Sequence, residues 1–445
     1  MKKIPIDVAV IGGGPAGLAA ALQAKKEGLD KVVLIERDRE LGGILNQCIH
    51  DGFGLIRFGR QLSGCEYAQR YVHMVKETDI EIHTDTMVLE ITPEKEIYAV
   101  SQKDGVLCWQ AKAMILAMGC RERTRPQVGI LGTRPAGVLT AGAVQKYINV
   151  QGFKPGKKAV ILGSGDIGMI MARRMTLEHM EVEGVYEVMP HLGGLRRNKV
   201  QCLDDYGIPL HLSTTVVRVH GKKRLTGVTV AKVDENRKPI AGTERYISCD
   251  LLVLSVGLIP ENELSRHAGI RLYPATKGPE VDQYMETSIP GIFAAGNVSA
   301  VFDLVDYVSK TGEIAACGAA RYIRAQEQTG GAPAADKEQG AEETAGGRKQ
   351  PAETVSDQPL PVTPGENISF TLPQCIRPED GTITFYMRVK RSMERPVIRL
   401  TCGGREIKTM RLPVANPPEM ISMTVDWKKE YAGDIVMEGK EAQTE

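Results

Sequence analysis

The stretch Val8-Ala9-Val10-Ile11-Gly12-Gly13-Gly14-Pro15-Ala16-Gly17-Leu18-Ala19-Ala20-Ala21 decides the fold of this chain. Four apolar residues in a row read as a buried parallel strand, the glycines as a tight turn, and the alanine-rich run as a helix lying on the sheet. Gly12 permits the turn, Gly14 lets the backbone approach a pyrophosphate, and Gly17 lets helix and strand come close. Pro15 and Ala16 open the helix, whose free N–H groups and positive dipole end face the phosphates. A second strand, Lys31-Val32-Val33-Leu34-Ile35, ends at Glu36, 24 residues after Gly12, the place of a ribose-binding acid. Strand, glycines, helix, strand and acid in this order predict a dinucleotide seat built from Gly12, Gly14, Pro15, Ala16, Gly17 and Glu36.

The same order returns further on. Lys158-Ala159-Val160-Ile161-Leu162 leads into Gly163-Ser164-Gly165-Asp166-Ile167-Gly168 and a helix, and the strand Val182 to Tyr186 ends at Glu187, again 24 residues after the first glycine. A second dinucleotide seat is expected, with Gly163, Gly165, Ile167, Gly168 and Glu187 as its contacts. Glu187 puts a carboxylate where a 2′-phosphate would lie, and Val188, Met189 and Pro190 bring no arginine to neutralise one. NAD(H) is therefore favoured over NADP(H). The alternative is that Arg196 and Arg197 fold back to the site.

The remaining composition narrows the function. Among 445 residues, 56 Lys and Arg almost cancel 55 Asp and Glu, so there is no overall positive field to collect nucleic acid. Met1-Lys2-Lys3-Ile4-Pro5 lacks the apolar core and cleavage site of a signal peptide, and no apolar run approaches the roughly 20 residues of a membrane span. A cytoplasmic protein without a membrane span is expected. The nine cysteines are scattered, without CxxC or zinc-ligand spacing, so no metal site is expected and most thiols should be small reduced hydrophobes.

Up to about Arg324 short strands alternate with helices, the pattern of parallel sheets. Residues 326–362, rich in Gly, Ala, Glu, Gln, Thr and Pro, read as a disordered linker. Period-two alternation follows, with Ile383, Phe385, Met387 and Val389 on one face and Thr382, Thr384, Tyr386 and Arg388 on the other. Val397 to Leu400, the Gly403-Gly404 turn, Ile407 to Leu412 and Ile421 to Trp427 extend it as hairpin-linked strands. The expected fold class is α/β, with two Rossmann-like three-layer ββα domains, one inserted in the other, and a small all-β domain at the C-terminus. The divisions fall at 1–125 and 255–325 for the first domain, 126–254 for the insert, 326–362 for the linker and 363–445 for the β domain, which shows no catalytic spacing and is read as an interface or lid.

The segments joining the two seats resemble the two-dinucleotide flavoproteins, the pyridine nucleotide-disulfide oxidoreductase superfamily that includes thioredoxin reductase, glutathione reductase and NADH oxidases. Ala113-Met114-Ile115-Leu116-Ala117-Met118-Gly119 resembles the crossover between domains, Asp250-Leu251-Leu252-Val253-Leu254-Ser255-Val256-Gly257 its return, and Thr287 to Val298 the late FAD motif, with Asn297 where aspartate is usual. The resemblance implies FAD in the first seat, contacts to it from Gly43, Gly119, Gly257, Gly296 and Asn297, and a helix near Val305 whose N-terminus faces the flavin N1/O2 edge. Asparagine keeps the acceptor oxygen of the usual aspartate and loses its charge. Arg134 to Gly142 and Gly42 to His50 resemble more narrowly the electron-transfer flavoproteins associated with glycerol-3-phosphate or 2-hydroxy-acid dehydrogenases, and the large subunits of opine, sarcosine and cyanide-forming amino-acid dehydrogenases. The tail after Pro361 resembles that of the first group.

Disulfide reductases of the glutathione-reductase type carry two cysteines just after the glycine pair, where this chain has Leu45 and His50. The expected activity is hydride transfer between NAD(H) and FAD without a redox-active disulfide, the electrons being exchanged with a partner dehydrogenase subunit in an oligomer. Cys48 and His50 are the candidate catalytic residues, the thiol for peroxide or coenzyme A chemistry and the imidazole as proton donor, against the plainer reading that both line the flavin face structurally. Arg121, Glu122 and Arg123 read as a solvated charge run or a ligand contact. Two alternatives stand beside this one: a free-standing NADH oxidase or peroxide reductase using Cys48, and an assembly subunit with structural FAD.

Overall fold

The apolar run that ends at Ile11 is the inner half of the strand Ile4–Ile11, and Val8, Ala9 and Val10 have no exposed surface. In a computed structural model, which describes residues 3–328 and 359–441, this strand stands between Val32–Ile35 and Gly105–Leu116, parallel to both. Glu81–His83 adds at one side, and Ile292–Ala294, returning from far along the chain, pairs in parallel with the end of Gly105–Leu116. The first half of that long strand pairs instead with Glu96–Ser101, which pairs with Thr86–Ile91, completing a seven-stranded sheet. Helices Pro15–Lys26 and Val305–Gln328 cross at backbone distance, since a Cβ on Gly312 would stand 2.2 Å from the Ala16 carbonyl oxygen.

The inserted segment repeats the plan. Its parallel sheet runs Val138–Thr140, Leu251–Leu254, Lys158–Leu162, Glu181–Tyr186, Leu210–His211. One face packs on helices Ala141–Asn149 and Asp166–Leu177, and the other on a four-stranded sheet containing Thr214–Gly221 and Leu225–Lys232. The layers are therefore sheet, sheet and helix. The chain enters and leaves this domain side by side: Cys120–Glu122 pairs antiparallel with Leu258–Pro260, closed by Arg123 N–H to the Gly257 oxygen and Glu261 N–H to the Gly119 oxygen, both 3.0 Å. The charge run at Arg121 to Arg123 is thus part of a ribbon. Arg121 pairs with Glu263 at 2.7 Å, and Glu122 accepts the Gly142 N–H at 2.8 Å.

Helix Val305–Gln328 runs three residues past Ala325, and a strand begins at Leu360, so both ends of the expected linker 326–362 belong to regular elements. Residues 329–358 of that expectation lie outside the described residues. The C-terminal domain holds a three-stranded sheet, Ile368–Leu372, Gly381–Val389 and Ile421–Trp427, against a five-stranded one in which Leu360–Pro364 and Ile435–Glu441 pair in parallel. Ile383, Phe385, Met387 and Val389 are buried in its core, as the alternation requires. Tyr386 is buried too, because it points the other way into the core of the first domain, together with Phe370, Leu372 and Met420. Among the described residues no helix is long and apolar enough to cross a membrane.

Charge also joins the two domains. Arg377 donates through Nε to Asp282 Oδ2 at 2.6 Å and through Nη2 to Glu286, and both carboxylates are buried. Burial pushes the Glu286 carboxyl above its ordinary range, while the Gly291 N–H and Arg377 hold it down. Arg377→Met leaves both acids without their cation and is expected to cost about 2 kcal/mol, less than a fully enclosed pair because Arg377 is partly exposed. Glu286 would then bind a proton still more readily in the folded chain than in the unfolded one. The deficit against wild type should be largest at neutral pH and shrink as pH falls through the folded-state pKa. Urea unfolding midpoints at pH 7 and pH 5 check this, and a deficit that grows at the lower pH contradicts it.

Candidate functional site

Each predicted acid reaches back to the glycine turn below it. Glu36 is buried, its Oε2 accepting the Gly13 N–H at 2.6 Å and its Oε1 the Asp38 N–H at 2.8 Å. Glu187 is buried likewise, its Oε2 accepting from Ser164 N–H at 2.8 Å and Ser164 Oγ at 2.7 Å, and its Oε1 from Met189 N–H at 2.9 Å. Gly13 and Ser164, Glu36 and Glu187, and Asp38 and Met189 all stand 151 residues apart. Leu41-Gly42-Gly43 and Leu192-Gly193-Gly194 share that offset, and in both copies the first glycine donates to the fingerprint: Gly42 N–H to the Gly13 oxygen and Gly193 N–H to Ser164 Oγ, each 2.8 Å. The glycine pair of the second copy went unnoticed in the sequence, although its spacing from Glu187 matches that from Glu36. Each carboxylate keeps at least one acceptor position for a ribose hydroxyl.

The turns show which glycines are closed by packing and which face open space. Gly12, at φ +109°, would bring a Cβ within 2.4 Å of the Ala117 oxygen, and a Cβ on Gly17 would fall 1.8 Å from the Gly12 oxygen. A Cβ on Gly14 or Gly119 would meet nothing within 4 Å. Open space therefore lies at the start of helix Pro15–Lys26, where a pyrophosphate fits. In the second copy Gly163 closes on the Ser255 oxygen and Gly168 on the Gly163 oxygen, while Gly165 keeps 3.4 Å from Ser255 Oγ. Ile167 packs against the helical-side core of the insert. Both seats fit the adenosine and pyrophosphate of a dinucleotide.

The other expected contacts fall on the neighbouring turns and the ribbon. Gly43 stands 3.0 Å, measured from its would-be Cβ, from Gly14 Cα. Gly257 lies on the return ribbon, and Gly296 is held by its N–H to Thr311 Oγ1 at 2.9 Å. Asn297 Oδ1 accepts the Phe302 N–H at 2.9 Å and its Nδ2 faces Cys120 Sγ at 3.6 Å, so the side chain ties the loop before Val305 to the ribbon. Val305 is the first residue of helix Val305–Gln328.

Cys48 and His50 part company. Cys48 is buried, with Sγ 3.4 Å from the Ile44 oxygen and 3.8 Å from Gln145 Oε1, and burial pushes its thiol up to about 12. A nucleophilic cysteine needs access and a lowered pKa, and this site supplies neither. The same cluster joins the domains: Gln47 Nε2 donates to Gln145 Oε1 and the Gly142 oxygen, and Asn149 Nδ2 to the Gln47 oxygen, each 2.9 Å. His50 instead lines a cleft of about 900 Å³ between the domains, with Ile49 and Asp51 on its side and Arg173, Arg174 and Arg197 opposite. Its Nδ1 is buried without a partner, and burial holds the imidazole below its ordinary pKa, hence neutral at pH 7. Arg197 lies over Gly52 at this cleft, facing the first domain, rather than closing on Glu187.

Gln145, Asp303 and Arg388 were not singled out by sequence reasoning. Gln145 lies on the insert and Arg388 on the strand face opposite Ile383 and Phe385, so neither carries a local signal; Asp303, just before Val305, could have been found by its place ahead of the helix. Cys48→Ala is expected to leave flavin reduction by NADH within about twofold of wild type. Cys48 should also escape alkylation by iodoacetamide at pH 8 in the native protein, as read by peptide mass spectrometry. Loss of reduction, or rapid labelling of Cys48, contradicts the inert reading.

Comparison with known proteins fits this geometry. The family model for pyridine nucleotide-disulphide oxidoreductases matches residues 6–322, which span both seats and the ribbon. Hydrogen cyanide synthase subunit HcnB of Pseudomonas protegens is 27% identical over 320 residues, 66% of this chain and 66% of its own length. An opine oxidase subunit of Agrobacterium tumefaciens is 26% identical, covering 65% of this chain and 61% of its own, and an NADH oxidase of Methanocaldococcus jannaschii is 26% identical, covering 66% and 64%. The chain thus spans slightly under two thirds of the length of these relatives. The thioredoxin reductase of T. acidophilum shares the fold, with a TM-score of 0.58 at 24% identity over 72% of this chain and 99% of that one. This chain belongs to the pyridine nucleotide-disulphide oxidoreductase family, oxidoreductases that bind FAD and NAD(P)H.

Proposed function

We propose that the chain carries hydride between NAD(H), held at the Glu187 seat, and FAD, held at the Glu36 seat, and exchanges electrons with a partner dehydrogenase subunit within an oligomer in the cytoplasm. The observation that carries this is the repeated acid clamp, two seats of one geometry in one chain. When bound, the two dinucleotides supply the redox chemistry, hydride passing between nicotinamide and flavin rings. The chain's own work is to hold them. Glu36 and Glu187 fix the riboses, the starts of helices Pro15–Lys26 and Asp166–Leu177 receive the phosphates, and the ribbon of Cys120–Glu122 and Leu258–Pro260 sets how the two domains meet. The preference for NAD(H) rests on the Glu187 carboxylate and on Arg197 lying over Gly52 of the first domain.

The partner is supported by what the flavin neighbourhood lacks and by the relatives. No cysteine pair follows Gly42-Gly43 at the reductase positions, and Cys48 is enclosed. Two of the relatives above are named as subunits. The free-standing oxidase reading keeps one relative, named NADH oxidase, but loses its proposed thiol.

Anaerobic rapid mixing of the yellow protein with NADH or NADPH, followed by flavin absorbance, tests the reading. NADH is expected to bleach the flavin, with NADPH at least about tenfold less efficient, a difference of about 1.4 kcal/mol in the transition state. Turnover with oxygen alone should stay slow. Absence of bleaching by either nucleotide sinks the relay, and fast sustained oxygen turnover favours the oxidase.

A further inference from the structure

Helix Val305–Gln328 is preceded by Val301-Phe302-Asp303-Leu304, and the C-terminal β domain covers this segment. Strand Gly381–Val389 turns Tyr386 and Arg388 towards it. The Tyr386 ring lies 5.3 Å from those of Phe302 and Tyr307, and Ser422 Oγ donates to Tyr307 Oη at 3.2 Å. Asp303 accepts the Met420 N–H at 3.2 Å. Arg388 Nη2 donates to the Val301 oxygen at 3.0 Å and stands 3.9 Å from Asp303 Oδ1. Its Nε is buried and has no hydrogen-bond partner. A guanidinium N–H removed from water without a partner carries a free-energy cost, so it is a site at which a ligand acceptor would be stabilising.

The charges that act on Arg388 come from both dinucleotide domains. Burial raises the Asp303 carboxyl, Arg388 pulls it back, and the negative charge of Asp166 adds to the rise. Asp166 opens the helix of the second fingerprint, with Oδ1 accepting from Leu195 N–H at 2.8 Å and Asn198 Nδ2 at 2.7 Å. The Arg388 guanidinium therefore feels a carboxylate of each dinucleotide domain while its own backbone belongs to neither.

We propose that the C-terminal β domain is part of the flavin site, Arg388 presenting its positive charge and unpartnered Nε–H to the pyrimidine edge of the bound flavin beside the start of helix Val305–Gln328. This rests on the reading that places FAD at that helix end. Two electrons and one proton arrive on the ring as hydride, leaving one negative charge that a cation at this edge and the helix dipole both stabilise. The domain that carries no fingerprint then sets the flavin potential.

The test is the two-electron midpoint potential of the bound flavin, measured against reference dyes, with FAD content and NADH dissociation constant alongside. Arg388→Met is expected to keep FAD and lower the potential by about 30 mV or more, a tenfold shift in the equilibrium. Arg388→Lys should fall between that variant and wild type. Asp303→Asn, which leaves Arg388 in place and removes an opposing charge, should shift the potential upward. Arg391→Met, at an exposed pair with Glu441 on the same domain, should match wild type. An unchanged potential in Arg388→Met overturns the proposal, as does a change confined to NADH binding. If Arg388→Met fails to fold, Arg388→Gln decides in the same way, a lowered potential upholding the proposal and an unchanged one overturning it. Wild-type protein without bound FAD would overturn the function reading itself, whereas FAD present and unshifted by the variants overturns only the role of Arg388.

Discussion

A carboxylate that accepts the N–H of the glycine turn beneath it fixes each of the two proposed nucleotide seats, and the rest of the molecule is arranged around two such clamps. Glu36 and Glu187 are both nearly enclosed, and an enclosed carboxylate persists only where hydrogen bonds replace its water. The turn supplies those bonds because its glycines bring the backbone within reach, and Gly17 and Gly168 let each following helix close on the turn. Acid, turn and helix thus depend on one another, which is why the same arrangement recurs at a constant offset.

Placing two seats in one chain leaves the problem of how they face each other. The antiparallel ribbon of Cys120–Glu122 and Leu258–Pro260 makes both crossings a single element, so the insert is joined to the first domain by paired backbone. A second contact, between Gln47 and Gln145, ties the segment after the first glycine pair to the first helix of the insert. The C-terminal domain adds a third constraint. It reaches the loop that leads into helix Val305–Gln328 through Tyr386 and Arg388, and the segment bearing Asp282 and Glu286 through Arg377.

What could be read from the sequence was what local chemistry decides. Glycine spacing, apolar strands and the acids 24 residues on are short-range patterns, and both seats followed from them. The alternation of Ile383, Phe385, Met387 and Val389 likewise identified a strand and its inward face. What could not be read depended on distant partners. The enclosure of Cys48 comes partly from Gln145 on the inserted domain, and nothing near Cys48 announces it. The alternation assigned Tyr386 to the face opposite Ile383 and Phe385 without saying what covers it, and Tyr386 lies against Phe302 and Tyr307. The charge run at Arg121 became a ribbon because its mate at Leu258 lies on the far side of a whole domain. Periodicity shows which face differs, not what covers it.

The account stands on the assignment of the two clamps to two different dinucleotides, and matched substitutions at the two acids test it directly. Glu36→Ala should be purified without flavin and still bind NADH, while Glu187→Ala should be purified yellow and resist bleaching at NADH concentrations that bleach the wild type. Loss of flavin from both variants, or wild-type bleaching of Glu187→Ala by NADH, would contradict the assignment.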